Sequence, residues 1–408
     1  MAAGDDRIRK YFLFKAVTSF SLWIPFWTLW AYQNVDNLFL LTVVDAAFWT
    51  TMVAFQIPAG LLGDKYGRKA MLFIGEVLAC VGVLSFGLST EFLQYLIANM
   101  IWATGICFIV SGDTPFLYDT LLELNRQNEF ISIMAKSAAI SSVVMAIACV
   151  IGGVLVQGTS PPRLDLTLII SSLVALIGSF TAVLLKEPKV VRTKVSEYQK
   201  HLKEGLRRVL TTRAILVLIL FQIVVEIAVY VMAVFRSVYL NEVLNLDYLQ
   251  IGALIGVFTI AGGIILTQGG RIEQTLGEKR SLLFMLVAII GSFVVVFLVT
   301  SPVAIIVQFL IYGVSYLQSP IISGYMNKRI DSTHRSTIVA IATMMFTLFL
   351  TPVEILFGWL ATEWGTVESL LVLAIAVTPV GFYLLALWYR IIDSERSAKR
   401  EGPETLLI

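Results

Sequence analysis

The chain is a succession of apolar runs, each about as long as a helix that crosses a bilayer, and most are separated by connectors of only a few residues. A helix needs about 20 apolar residues to span the hydrocarbon core. Six runs fill the N-terminal half, at 11–32, 38–62, 70–88, 92–117, 130–156 and 166–185, and six more follow at 214–240, 250–269, 281–300, 303–325, 336–361 and 369–391. Each is helical, because irregular or open-edged backbone cannot face lipid. Composition agrees: 58% hydrophobic and 14% charged residues, with a mean hydropathy of +0.84, are too apolar for a soluble globular protein. The expected fold class is an all-α membrane protein of twelve transmembrane helices in two six-helix bundles, 1–187 and 213–408, joined by a connector at 188–212. Pro25, Pro58, Pro115, Pro320 and Pro352 are expected to kink their helices rather than end them.

The connector is basic and polar, and its 198–210 part reads as an amphipathic surface helix. Bases are distributed unevenly elsewhere. Connectors one, three, seven, nine and eleven hold no Lys or Arg, the fifth holds only Arg163, and the even connectors and both termini carry nearly all the rest. Both termini are therefore expected on the cytoplasmic side of the cell membrane. The apolar run after the polar residues 1–10 is long and aromatic, so it reads as a retained first helix rather than a cleaved leader. Cys80, Cys107 and Cys149 lie in apolar runs with no CxxC or His partner, as small buried hydrophobes do. No phosphate cradle, H-E-x-x-H site or selectivity-filter run is present, and no catalytic residue, metal or cofactor is expected. Asp45 and Asp113 stand at opposite depths, which disfavours a shared hydrolytic site.

Between the second and third runs lies Gly60-Leu-Leu-Gly63-Asp64-Lys65-Tyr66-Gly67-Arg68-Lys69. A tight turn at a bilayer surface needs Gly67 for a backbone angle strained in other residues. Lys65, Arg68 and Lys69 hold the turn on the cytoplasmic face. Asp64 calls for a partner such as a helix N-terminus. The stretch 269–280 repeats this motif in degraded form, with Gly269, Gly270, Arg271, Glu273, Gly277, Lys279 and Arg280. Runs four and ten also echo each other around Pro115 and Pro320. Such repeats mark secondary transporters, whose substrate site lies near mid-membrane between the repeats.

The motif at Gly60, Asp64, Lys65, Gly67, Arg68 and Lys69 resembles the loop signature of the major facilitator superfamily, between the same two helices. The resemblance implies alternating access by a monomer that moves a small molecule. It further implies a conformational lock, in which Asp64 meets the start of the eleventh helix near Ser332 to Ser336 and Arg68 reaches Asp119. The drug/proton antiporters of that family often carry an arginine four residues before a helix-four glycine; here Ile101 precedes Gly105, and helix five offers Gly152-Gly153 without a Gly-Pro. The ending Ser111-Gly112 to Tyr118-Asp119 is similar to that of efflux-type members. Proton-coupled efflux of an amphipathic compound is the leading expectation, with a nutrient or metabolite importer as the alternative. The expected partners are that substrate, protons and the bilayer, with no nucleic acid.

Ionisable residues inside a membrane each need a partner or a role. Asp113 and Lys136 fall at matching depths on adjacent helices and are expected to pair, structurally or for substrate and protons. Asp45, Arg236 and Glu354 fall in the outer third of helices that meet in the family, which implies a gate with Arg236 bridging either acid, the alternative being that Arg236 snorkels to the headgroups. Glu226, in mid-helix among apolar residues, is the sharpest proton or substrate candidate, with Gln222 as its bland alternative partner. Glu76 is expected to be structural. Trp23, Trp27, Tyr230, Gln308, Tyr312 and Tyr316 are candidates for the cavity wall.

Overall fold

The computed structural model describes residues 3–35, 37–189, 204–299, 301, 303–330 and 335–400. The main helices are α1 (Ala3–Thr18), α2 (Trp27–Val35), α3 (Leu38–Tyr66), α4 (Arg68–Leu88), α5 (Phe92–Glu123), α6 (Phe130–Gln157) and α7 (Asp165–Leu184). After them come α8 (Arg213–Val238), α9 (Tyr248–Leu298), α10 (Ala304–Asn327), α11 (Arg335–Trp364) and α12 (Thr366–Arg400). Residues 204–210, the described part of the expected amphipathic segment, are helical; 198–203 lie outside the described residues.

Among the described residues ten helices are long and apolar enough to cross a membrane, against twelve expected runs. Both differences have local causes. The runs 250–269 and 281–300 appear as the single 51-residue α9, which Gly277 interrupts between them with a non-helical φ of 70° and ψ of 171°. The run 11–32 is split into α1 and α2 by turns at 19–26, so neither piece spans alone. Pro25 lies in this break, after α1 has ended at Thr18 and just before α2 begins at Trp27, rather than kinking a continuous helix; its missing N–H and its bias against a helical residue before it fit a non-helical stretch there. Broken backbone at membrane depth survives only inside protein. Here the freed Leu22 N–H donates to Ser171 Oγ of α7 at 2.9 Å, and a Cβ on Gly152 of α6 would stand 2.6 Å from the Leu22 carbonyl oxygen. Pro58, Pro115, Pro320 and Pro352 sit inside continuous helices, as expected.

The residues form two compact units. The first comprises Met1–Val195, Val234–Gly263 and Leu350–Thr366; the second comprises Ser196–Ala233, Ile264–Phe349 and Val367–Ile408. Within the first unit, α4 and α5 pack backbone to backbone through small residues, the way helices associate where lipid removes any hydrophobic drive. A Cβ on Gly105 would lie 2.7 Å from both Ala79 N and Gly75 O, and one on Gly82 would lie 2.5 Å from Trp102 N. The same unit joins α6 to the first part of α9: Gly153 faces the Tyr248 carbonyl, Gly252 the Cys149 carbonyl and Gly256 the Ala146 carbonyl. Large apolar side chains such as Leu88, Val110, Phe180, Leu348 and Ile375 point outward, as lipid-facing residues do.

Candidate functional site

The charged turn is built by Gly67, whose φ of 103° only glycine adopts without strain. Gly277 takes the same role in the degraded copy, so the internal repeat extends to backbone conformation. Arg68 Nη2 donates to Asp64 Oδ1 at 2.6 Å across the turn. Gly63 leaves room for that guanidinium, since a Cβ there would stand 2.7 Å from Arg68 Nη1. A Cβ on Gly60 would meet nothing within 4 Å, so sterics give Gly60 no role in this arrangement. Lys65 is exposed and stands 4.9 Å from the Tyr66 ring. Of the helix start expected to receive Asp64, residues 331–334 lie outside the described residues. Asp119 lies half-buried near the end of α5.

Sequence reasoning missed Glu187. Its carboxylate accepts the Arg68 N–H at 2.8 Å and the Lys69 N–H at 2.7 Å, capping the first turn of α4 where a helix favours an anion. Its signal is an acid just beyond the sixth run at the same membrane face as Gly67. Two residues later the Lys189 N–H donates to Glu123, which also binds Arg7 at 3.0 Å. The Arg7 hydrogen bond, followed by the Lys189 amide, holds the Glu123 carboxyl below its usual range. Glu187→Gln is expected to cost about 1 kcal/mol, the usual worth of a side-chain cap. Thermal unfolding of the purified protein checks this; an unchanged midpoint would remove the cap from the stability account.

Asp113 does not pair with Lys136, which is exposed on α6. Its partners are on α1: Lys15 Nζ donates to Oδ2 at 2.8 Å and Tyr11 Oη to Oδ1 at 2.9 Å. Matching depth in the sequence does not fix which face of a helix a side chain takes, and α1 supplies the base instead. Glu76 of α4 is buried and feels the charges of both Lys15 and Asp113. Lys15 was missed because it stands near the start of the first run; its flanks, Phe14 and Ala16, already place it in membrane.

Three contacts fix the register of α3 against α11, all at the end whose connectors lack bases. The Phe39 N–H donates to Thr362 Oγ1 at 3.0 Å, a Cβ on Gly358 would strike the Thr42 hydroxyl, and the carboxyls of Asp45 and Glu354 meet. Steps of three along α3 and four along α11 keep these positions on facing stripes. Asp45 is 2% exposed and Glu354 0%, so neither reaches lipid headgroups or water. Arg236 of α8 is buried too, with its guanidinium 6.0 Å from the Phe258 ring, while the adjacent Phe235 packs edge-on against Phe357 of α11 at 4.8 Å.

In the second unit, Glu226 is half-buried on α8 and accepts a long hydrogen bond, 3.4 Å, from Gln222 Nε2. Tyr230, one turn further on, stands edge-on to Phe346 of α11 at 6.4 Å. Tyr312 and Tyr316 of α10 lie 5.4 Å apart, and Gln308 is fully buried with Nε2 3.9 Å from Met232 Sδ. The acid of the degraded motif, Glu273, pairs with Lys328 of α10 at 3.8 Å, and Glu278 takes Arg329 at 3.3 Å. Trp23 and Trp27 belong to the first unit, where they line a void of about 10 Å³ with Phe86, Asn99 and Trp102. That is room for roughly one water, and Trp23 packs edge-on against Trp102 at 4.8 Å.

A family model described as Major Facilitator Superfamily matches residues 12–351. An uncharacterized transporter of Buchnera aphidicola subsp. Schizaphis graminum is 27% identical over 117 residues, 29% of each chain. Multidrug resistance protein MdtM of Escherichia coli O157:H7 is 31% identical over 142 residues, 34% of this chain and 32% of that protein. The chain thus spans under a third of the length of these two curated relatives. The uncharacterized MFS-type transporter YxaM of Bacillus subtilis is 18% identical over 387 residues, 92% of this chain and 94% of that protein. Among solved structures, a point mutant of the nucleoside transporter NupG superposes with a TM-score of 0.80 at 13% identity, over 93% of this chain and 100% of that one. A bacterial homologue of the human lysosomal transporter Spinster, inward-facing and occupied, gives 0.75 at 12% identity over 98% of both chains. At these identities the likeness to the structures is one of fold.

Proposed function

Since the chain belongs to the Major Facilitator Superfamily, we propose that this multi-pass membrane transporter exports a small amphipathic compound in exchange for protons. Bundles 1–187 and 213–408 alternate access about the 188–212 connector, as a monomer. The base-rich face, with both termini, is cytoplasmic. Asp64, Arg68 and Asp119 form the lock on that face, while Lys65 and Lys69 hold its topology.

The observation that carries the export reading is Glu226. A carboxyl on the middle of α8, weakly hydrogen-bonded to Gln222 and one turn from an edge-on Tyr230–Phe346 pair, offers charge beside aromatic surface. Such a setting suits a cationic amphipathic compound and a proton in turn. The multidrug resistance proteins among the relatives support the same direction.

The test is flux of a fluorescent lipophilic cation in proteoliposomes under an imposed pH gradient. Glu226→Gln is expected to lower gradient-driven export roughly 5–150-fold, the usual range for loss of one coupling interaction. Full pH-dependent export by this variant would remove Glu226 from the mechanism. Gradient-driven uptake by the unmodified protein would favour the importer.

A further inference from the structure

We propose that Asp45 and Glu354 share a single proton, and that this proton latches α3 to α11 at the membrane face opposite the charged turn. Two carboxyl groups hold no hydrogen-bond donor between them unless one of them keeps its proton. Glu354 is fully buried, and its carboxyl oxygens meet no N–H or O–H donor among the described residues; the group they face is the Asp45 carboxyl. The contact is built rather than incidental. Phe39 N–H to Thr362 and the close seating of Gly358 on Thr42 hold the two helices in the register that brings the acids together.

The charged and polar groups around the pair are consistent with one proton. From α8 comes Arg236, buried near the same level of α11 and a cation able to balance one remaining negative charge. From α9 comes the Phe258 ring, and from α5, which packs on α3, comes Asn99, whose amide donates to the Val44 carbonyl at 2.7 Å. With the proton in place the acids hydrogen-bond and the helices stay zipped. When it leaves, two buried carboxylates face each other and repel, so the Thr42–Gly358 seat opens and Arg236 follows one acid. The latch thus ties the open state of this face to the deprotonated pair, and proton uptake from this face to its closing. It rests on the proton-exchange reading for its place in the transport cycle, but the contact itself can be tested without transport.

Spin labels on Leu40→Cys and Glu363→Cys of the full-length protein, reconstituted in lipid, report the α3–α11 separation; the three native cysteines are buried and stay in place. The open population is expected to rise roughly tenfold from acid to alkaline conditions, the response to about 1.4 kcal/mol of differential proton affinity. Glu354→Gln carries a permanent amide donor toward Asp45 and is expected to stay closed at every pH, as is Asp45→Asn, the second variant in case the first folds poorly. A separation that ignores pH in the unmodified protein, or amide variants that open with alkali as it does, would overturn the latch. Gradient-driven export with a pH-insensitive separation sinks the latch and spares the exporter. A pH-dependent separation without proton-coupled flux supports the latch and sinks the exporter.

Discussion

A Lys15→Met variant is expected to lose about 1–3 kcal/mol of stability, the usual cost of leaving a partly buried charged group without its hydrogen-bonded partner. Lys15 and Asp113 are 22% and 19% exposed, so solvent replaces the lost partner only in part. The variant leaves Asp113 with the Tyr11 hydroxyl as its donor, and Glu76 nearby as a second acid. Lys15→Met/Asp113→Asn removes the stranded charge while keeping a polar acceptor for Tyr11, and should recover most of the loss. Lys136→Met, on the exposed face of α6, should change the midpoint little. Thermal unfolding of the three purified variants decides the matter. A double variant no more stable than Lys15→Met, or a larger effect at Lys136 than at Lys15, would show the α1–α5 pair to be without structural weight.

The second large effect is at Gly105. A side chain there meets Ala79 N and Gly75 O, each 2.7 Å from the Cβ position, and both belong to the backbone of α4. Flexible side-chain ends move aside at small cost, but helix backbone does not. Gly105→Leu should therefore separate α4 from α5 and cost about 3 kcal/mol or more, at or beyond the upper end for an overpacked core. Gly291, on α9 with nothing within 4 Å, serves as the open-space reference. Gly291→Ala should be neutral or gain up to about 1 kcal/mol, since a helix interior disfavours glycine. Equal melting points for the two variants would mean that the α4–α5 seam is softer than its geometry.

The helices were legible because apolar length alone identifies a crossing segment, and the turn at Gly67 because its glycine and bases have few other uses. What was hidden is azimuth. Depth along a helix can be counted from the sequence, so Asp113 and Lys136 look like partners, yet which way each side chain points depends on helix rotation and on which third helix intervenes. The helical break around Pro25 was hidden for a related reason: a proline can be kinked through or stopped at, and the choice rested on Ser171 and Gly152, far along the chain, being there to receive the loose backbone. Asp45, Arg236 and Glu354 were found by depth, while the three-rung register that joins two of them was not. Glu187 was lost because an acid in a basic connector looks solvated.

The Glu187 cap also bears on how the protein is made. The acceptor that satisfies the Arg68 N–H lies 119 residues downstream of it. While the ribosome is still delivering α5, α6 and α7, the first turn of α4 has no carboxylate to close it. The third crossing segment therefore completes its own start only when the sixth has been inserted. A chain arrested before Glu187 should hold α4 more loosely than one arrested just after it, which makes the end of α7 the checkpoint at which the first half becomes whole.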